Sequence, residues 1–175
     1  QYLDGQAQQQ DSDTFILYGA EDLVPEYQKD HHGQWLMMEG KHVVDIIPPR
    51  VVDGVSYIIR RYRPRIEGLF ARIERWTNVN DPGDVHWRSI SKDNILTLYG
   101  RNSNSRIVDP ADPRKIFSWL ICETRDDKGN AILYEYRQED ETGVDLTQVN
   151  ERNRSRTANR YIKRIRYGNQ RTLLI

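Results

Sequence analysis

Apolar residues along this chain come in short runs, and helical spacing is hard to find in them. FILYG (Phe15 to Gly19), QWLMME (Gln34 to Glu39), HVVDII (His42 to Ile47), VSYIIRRYR (Val55 to Arg63) and LFARIERW (Leu69 to Trp76) follow one another closely. VHWRSIS (Val85 to Ser91), ILTLYG (Ile95 to Gly100), IFSWLICETR (Ile116 to Arg125), AILYEYR (Ala131 to Arg137) and YIKRIRYG (Tyr161 to Gly168) complete the series. Clusters of Gly, Pro, Asn and Asp separate them, as expected of strands joined by tight turns. In AILYEYR strict alternation places Ile132, Tyr134 and Tyr136 on one face and Ala131, Leu133, Glu135 and Arg137 on the other. The pattern predicts an all-β fold of many short antiparallel strands and hairpins, with little helix.

The best helix candidate, Leu146 to Arg160, is polar nearly all round and reads equally as an exposed loop. Pro110 to Lys115 adds at most one short turn. The opening QYLDGQAQQQDSD is polar and Gln-rich, so residues 1–13 read as a linker and residues 14–175 as one β-rich region belonging to a larger domain. A first residue that is not Met and a last run, RTLLI, that ends without a turn fit a piece of a longer chain.

Composition sharpens this picture. A hydrophobic fraction of 37% against 30% charged residues describes a folded chain with a lean core, and four Trp and ten Tyr suit strands. One cysteine cannot form an internal disulfide. No apolar run approaches the roughly 20 residues of a membrane-spanning helix, so no membrane contact is expected. The formal charge is zero but unevenly spread. Up to Asn150 there are 18 basic and 25 acidic residues, and from Glu151 onward 8 basic and 1 acidic. Such asymmetry fits either a polyanion-binding tail or an acidic and a basic surface that meet inside one assembly, and the second is preferred.

The densest candidate chemistry lies between Asp109 and Arg137, where four aspartates and the lone Cys122 stand among aromatic residues. Asp126 and Asp127 open DDKGN, a hairpin corner in which Gly129 supplies a positive φ, and Asp109 and Asp112 each precede a proline. The segment lacks the ligand spacing of an EF-hand loop. Cys122 falls mid-strand with Ile116, Ser118 and Leu120 on its face, a small hydrophobe without a histidine to activate it. His31 and His32, read as strand neighbours, point to opposite faces; His42 and His86 stand alone, and none has zinc spacing. Glu139 and Glu141 match the paired glutamates of some ADP-ribosyltransferases, but the companion Ser-Thr-Ser strand is missing. No phosphate-binding glycine motif is present. No catalytic, cofactor-binding or metal-ligating residue is therefore assigned, and no cofactor.

Arginines carry more weight. Arg61, Arg63 and Arg65 alternate onto one strand face, with Glu67 and Glu74 close by. Arg152, Arg154, Arg156, Arg160, Lys163, Arg164 and Arg166 crowd the last part, interleaved with Tyr161 and Tyr167. Arginines on phosphates with aromatics stacked on bases would bind nucleic acid. In a neutral chain, carboxylate pairing inside a protein interface is the preferred use.

Four longer stretches, YRPRIEGLFARIERW, DPGDVHWRSISKDNILTLYG, SRIVDPADPRKIFSWLICETRDDKGNAILYEYR and GVDLTQVNERNRSRTANRYIKRIRYGN, resemble the SpvB-like region of the TcB components of bacterial Tc (insecticidal) toxin complexes. The resemblance runs from about Tyr57 to Asn169. A related region precedes the ADP-ribosyltransferase domain of a Salmonella virulence protein. The resemblance implies a segment of a β-sheet shell of the RHS or YD-repeat kind, in which TcB and a TcC-like partner enclose a toxic polypeptide and dock on a TcA-like pore. It implies a non-catalytic wall, secreted as part of a toxin complex after synthesis in the bacterial cytoplasm. A nucleic-acid or polyanion-binding module and an ADP-ribosyltransferase-associated domain are the alternatives.

Overall fold

The computed structural model describes residues 15–17, 22–39, 41–65, 70–139 and 159–169, and nearly all of them lie in or between strands. In chain order the first strands are β1 (Phe15–Ile16), β2 (Asp22–Pro25), β3 (Tyr27–Lys29), β4 (Trp35–Glu39), β5 (His42–Ile46), β6 (Arg50–Val52), β7 (Val55–Pro64) and β8 (Phe70–Asn78). They continue as β9 (Val85–Ser91), β10 (Leu96–Tyr99), β11 (Arg106–Val108), β12 (Ile116–Trp119), β13 (Ile121–Arg125), β14 (Asn130–Gln138) and β15 (Arg160–Asn169). One 3-10 turn, Ser103–Ser105, is the helical element among the described residues.

The main sheet runs β1-β2-β7-β8-β9-β10-β13-β14-β15, with β6 also paired to β7. Every pairing in it is antiparallel. Two smaller sheets, β3-β4-β5 and β11-β12, complete the fold. The all-β antiparallel architecture expected from the pattern is what the chain adopts.

Register assigns residues to faces, because antiparallel partners point to the same side. On the first face Tyr62 stands opposite Ile73, and Ile73 opposite Ser89. Arg60, Arg75, Trp87 and Tyr99 form the neighbouring row. Leu23, Tyr62, Ile73 and Trp87 are the buried centre, with Phe15, Leu17, Tyr27, Tyr99 and Trp119 packed around them. The Phe15 ring meets Trp87 edge-on at 4.9 Å, and Trp119 meets it at 6.0 Å. Aromatic bulk thus compensates for the low apolar fraction, each buried large side chain contributing about 1.5–3 kcal/mol. The three-stranded sheet is tied on by Arg60, whose guanidinium sits 3.7 Å from the Trp35 ring centre, and by a 2.6 Å hydrogen bond between the Tyr27 and Tyr62 hydroxyls.

Three local expectations need correction. The run Ile116 to Arg125 is two strands, not one. Leu120 donates its N–H to the Ser105 carbonyl and accepts from the Gly100 N–H, both at 2.8 Å, so β12 turns to pair with β11 while β13 joins β10. The break lets Trp119 fold over the first face and donate its indole N–H to the Val85 carbonyl at 2.8 Å. It also separates Cys122 from the alternation with Ile116 and Ser118. His31 and His32 occupy a turn, with ring centres 3.8 Å apart, rather than opposite faces of a strand. Strands β2, β3, β6 and β11, each of three or four residues, were not expected; they lack the length at which alternation becomes legible. Most of the helix candidate Leu146 to Arg160 lies outside the described residues.

Candidate functional site

Between Asp109 and Arg137 the aspartates shape turns. Asp126 accepts from the backbone N–H groups of Lys128 at 3.0 Å and Asn130 at 2.8 Å, and from the Asn130 side-chain amide at 2.6 Å. That side-chain bond, with the backbone ones, holds its carboxyl below the usual range. Gly129 beside it has φ +89°, the left-handed conformation the corner needs. Asp109 accepts from the Ala111 N–H at 2.8 Å and Asp112 from the Arg114 N–H at 3.2 Å, while Asp127 is exposed. Cys122 is buried and its thiol donates to the Leu98 carbonyl at 3.3 Å. Among the described residues no three His, Cys, Asp or Glu side chains converge as metal ligands do.

Of the paired glutamates, Glu139 closes the base of the β14–β15 connection. Its N–H donates to the Asn159 carbonyl at 3.2 Å, and its carboxylate accepts from the Asn159 amide at 2.9 Å. Glu141 lies outside the described residues, as do Arg152, Arg154 and Arg156. Arg61 and Arg63 share an exposed face, and Arg65, also exposed, extends past the end of β7. Arg63 and Arg65 face Glu26 and Asp22 at 3.8 and 3.6 Å.

On the second face of the main sheet lies a polar cluster that sequence reasoning missed. Trp76 and His86, 1% and 2% exposed, stand opposite each other on β8 and β9. Trp76 donates its indole N–H to Glu74 at 2.9 Å, and Glu74 pairs with Arg72 at 2.9 Å. Arg88 covers the Trp76 ring at 3.5 Å and donates its Nε–H to His86 Nε2 at 3.4 Å. Burial, then Arg88, pushes the His86 imidazole down to about 3, so it is a neutral acceptor at physiological pH. Burial, then the Arg101 charge, lowers Arg88 to about 10. At the rim, Arg106 grips Asp84 at 2.6 Å and Arg101 grips Asp53 at 2.9 Å. Burial opposes ionisation of Asp84, but the hydrogen bonds from Arg106 and Asn78 win and hold it low. Ring stacking, ion pairs and hydrogen bonds among these neighbours fit charged residues into a sheet face without a thick apolar layer, although Arg88 Nη2 is buried without a hydrogen-bond partner. A run such as ARIERW carries charge at both parities, so alternation alone could not say which arginine goes inside.

The β14–β15 ribbon has the opposite character. Residues 161 to 168 of β15 are all exposed, with Ile162 at 57% and Tyr167 at 76%. The register slips by one between Glu135 and Tyr136, because Lys163 is left without a partner on β14. This bulge brings Ile162 onto the side of Ile165 and Tyr167, opposite Tyr136, Tyr134 and Ile132. Arg164 and Arg166 stand on the other side, opposite Glu135 and Leu133, and Arg166 reaches Glu135 at 2.5 Å.

Comparison with known proteins gives this geometry a family. A family model described as the Salmonella virulence plasmid 65kDa B protein, SpvB, matches residues 3–174. The chain belongs to the SpvB family. Among curated proteins it is similar to the mono(ADP-ribosyl)transferase SpvB of Salmonella typhimurium and of Salmonella enteritidis, each 38% identical over 114 residues. That match covers 65% of this chain and 19% of the relative, so the chain spans a minor part of those proteins. Among solved structures, the N-terminal domain of effector protein SpvB from Salmonella typhimurium strain LT2 aligns with 93% of this chain and 48% of its own, at 30% identity and TM-score 0.71. The TcdB2–TccC3 structure aligns with 83% of this chain and 8% of its own, at 26% identity and TM-score 0.61. The Photorhabdus luminescens Tc holotoxin pore aligns with 83% and 7%, at 25% identity and TM-score 0.61. The resemblance to SpvB and toxin-complex chains expected from the sequence holds, and it extends to nearly the whole chain.

Proposed function

We propose that this SpvB-family chain is a non-catalytic wall segment of a bacterial toxin-complex shell of the TcB kind. One observation carries the reading: the same sheet recurs over 83% of this chain inside the TcdB2–TccC3 structure, where it makes up 8% of the aligned chain. A sheet that is a small part of so large a chain supports a structural place within it. Exposed strands agree with this, since β5 is exposed throughout and β15 from residue 161 to 168. These strands carry Val43, Val44, Ile46, Ile162 and Tyr167, each at least 48% exposed. Exposed apolar strands at a sheet edge, as β5 and β15 are among the described residues, are a liability that neighbouring strands would remove.

In this role residues 14–175 form part of a larger domain. A TcC-like subunit completes the enclosure around a toxic polypeptide, and a TcA-like pore receives it. The assembly is secreted, and this segment touches no membrane. The transferase name of the curated relatives belongs to proteins of which this chain matches 19%, and no catalytic step is assigned to it. Nucleic-acid binding is the second reading: Tyr161, opposite Arg137, shares the side of Arg164 and Arg166, whereas Tyr167 stands on the other.

The test is the native mass of the polypeptide that contains HWRSISKDNILTLYG, detected in the source bacterium with a peptide-specific antibody. A band far above 20.7 kDa that shifts further with a partner on a native gel is expected. A band at 20.7 kDa without a partner would overturn the wall reading. The isolated chain is further expected to melt without a sharp transition, and a clean two-state melt of a soluble monomer would count against it.

A further inference from the structure

Three properties of β15 converge on one use. It is the last strand of the main sheet, and nothing among the described residues pairs with its outer edge. Along ten residues, that leaves every second N–H and C=O of the strand without a partner strand. The bulge at Lys163 places Ile162, Ile165 and Tyr167 in a row beside Tyr136, Tyr134 and Ile132, making an apolar strip that reaches the open edge. The strand also carries Arg160, Lys163, Arg164 and Arg166 and no acidic residue. Arg166 has Glu135, whereas Lys163 and Arg164 have no carboxylate within ion-pair distance among the described residues.

We propose that the outer edge of β15 receives a β-strand of a partner polypeptide in which acidic residues alternate with apolar ones. Backbone groups of the incoming strand complete the ladder. Its apolar side continues the strip of Ile162, Ile165 and Tyr167, and its carboxylates lie across from Arg164 and beside Lys163. Charge decides against a second copy of this chain. Two β15 edges side by side would oppose basic residues to basic residues with no acid on either strand, which is how edge strands avoid pairing with themselves. The bulge is what aligns the strip, since without it Ile162 would fall on the side of Arg164. The inference rests on the wall reading for its setting and on the edge itself for its chemistry.

The experiment uses the full chain and a fluorescently labelled ten-residue peptide alternating Glu with Val and Tyr, at physiological salt. The same peptide with Lys in place of Glu, and a single-stranded DNA oligonucleotide, are the comparators. Anisotropy reads binding, and amide hydrogen exchange of residues 160–169 reads its place. The Glu peptide is expected to bind about tenfold more tightly than the Lys peptide and to slow exchange at alternate β15 amides. K163E together with R164E is expected to reverse the preference. Tyr167→Ser weakens both peptides and leaves the preference in place, which guards against a misfolded charge variant.

Equal binding of the two peptides, no protection on β15, binding of the DNA in their stead, or a β15-mediated dimer in sedimentation would each overturn edge docking. Such a failure with the native-mass result intact would leave the wall reading standing. Peptide binding with a 20.7 kDa native band would do the reverse.

Discussion

Arg88 holds its guanidinium 3.5 Å from the centre of the Trp76 ring, and the same indole donates its N–H to Glu74 at 2.9 Å. A cation stacked on an aromatic whose edge feeds a carboxylate lets two charged residues occupy a sheet face beside a residue that is 1% exposed. Desolvated cation–π contacts of this kind contribute up to about 2 kcal/mol. Arg88→Met keeps most of the apolar stem and removes the charge and the bond to His86. We expect it to lower protection of β8 and β9 amides by roughly 1–2 kcal/mol in native-state hydrogen exchange. Trp76→Ala is expected to cost more, about 3–5 kcal/mol. Unchanged protection in Arg88→Met would show that the stem, not the charge, covers the indole.

Acid should loosen the same region through His86. Its folded value of about 3 lies below the ordinary 6.5, so between those values the unfolded chain binds the proton that the folded one refuses. Stability is then fully present above about pH 6.5 and falls as the pH drops toward 3, by up to the order of 4 kcal/mol for one such group. Asp84, also held low, acts in the same direction at the acid end, losing its pairing with Arg106 as it protonates. His86→Gln keeps an acceptor for Arg88 without the titration. Its exchange protection in β9 is expected to be flatter than that of the natural chain between pH 6.5 and 4. Parallel slopes would mean that the imidazole does not govern the acid response.

How far the pattern of residues specifies the molecule is clear from where it succeeds. VHWRSIS is β9 to the residue, and AILYEYR lies within β14 with its alternation intact, because long strands buried on one side repeat every second residue. It fails where a tertiary contact overrides a continuous run. Nothing in IFSWLICETR marks Leu120 as a break; the cause is Trp119, which leaves the strand to reach the Val85 carbonyl. The polar cluster was illegible for another reason. Buried Arg75 and Glu74 are adjacent in sequence and lie on opposite faces, so no hydrophobic parity exists to be read. The bulge at Lys163 was equally hidden, since it is visible only against the register of β14.

Gly100 permits that override. It has φ +64°, and a methyl group there would come within 2.3 Å of Trp119 Cδ1 and 2.9 Å of its Cβ. A side chain would pay for the left-handed backbone, about 1 kcal/mol or more, and also push the indole away. Gly100→Ala is therefore expected to release the β11–β12 ribbon from the first face. Loss of the Trp119 hydrogen bond to Val85 would appear as a red shift in tryptophan emission and as faster exchange of the Leu120 amide. Emission and exchange like those of the natural chain would mean that the ribbon can shift without leaving its seat.

Asp126 offers the sharpest check on whether the acidic corner is structural. Its carboxylate accepts three hydrogen bonds, two from backbone N–H groups, and fixes the turn that sets the β13–β14 register. Asp126→Ala removes all three at a solvent-screened site. We expect measurably less protection for the β13 and β14 amides nearest the turn. Asp126→Asn retains an acceptor oxygen and is expected to recover about half of that loss. Because the carboxyl is held below its usual range, this contribution is present above the ordinary carboxylate value and disappears as the pH falls through the folded one. Calcium titration provides the contrast: a ligand role for Asp126 would show as calcium-dependent protection abolished in Asp126→Ala, and the turn role predicts protection that does not change with calcium.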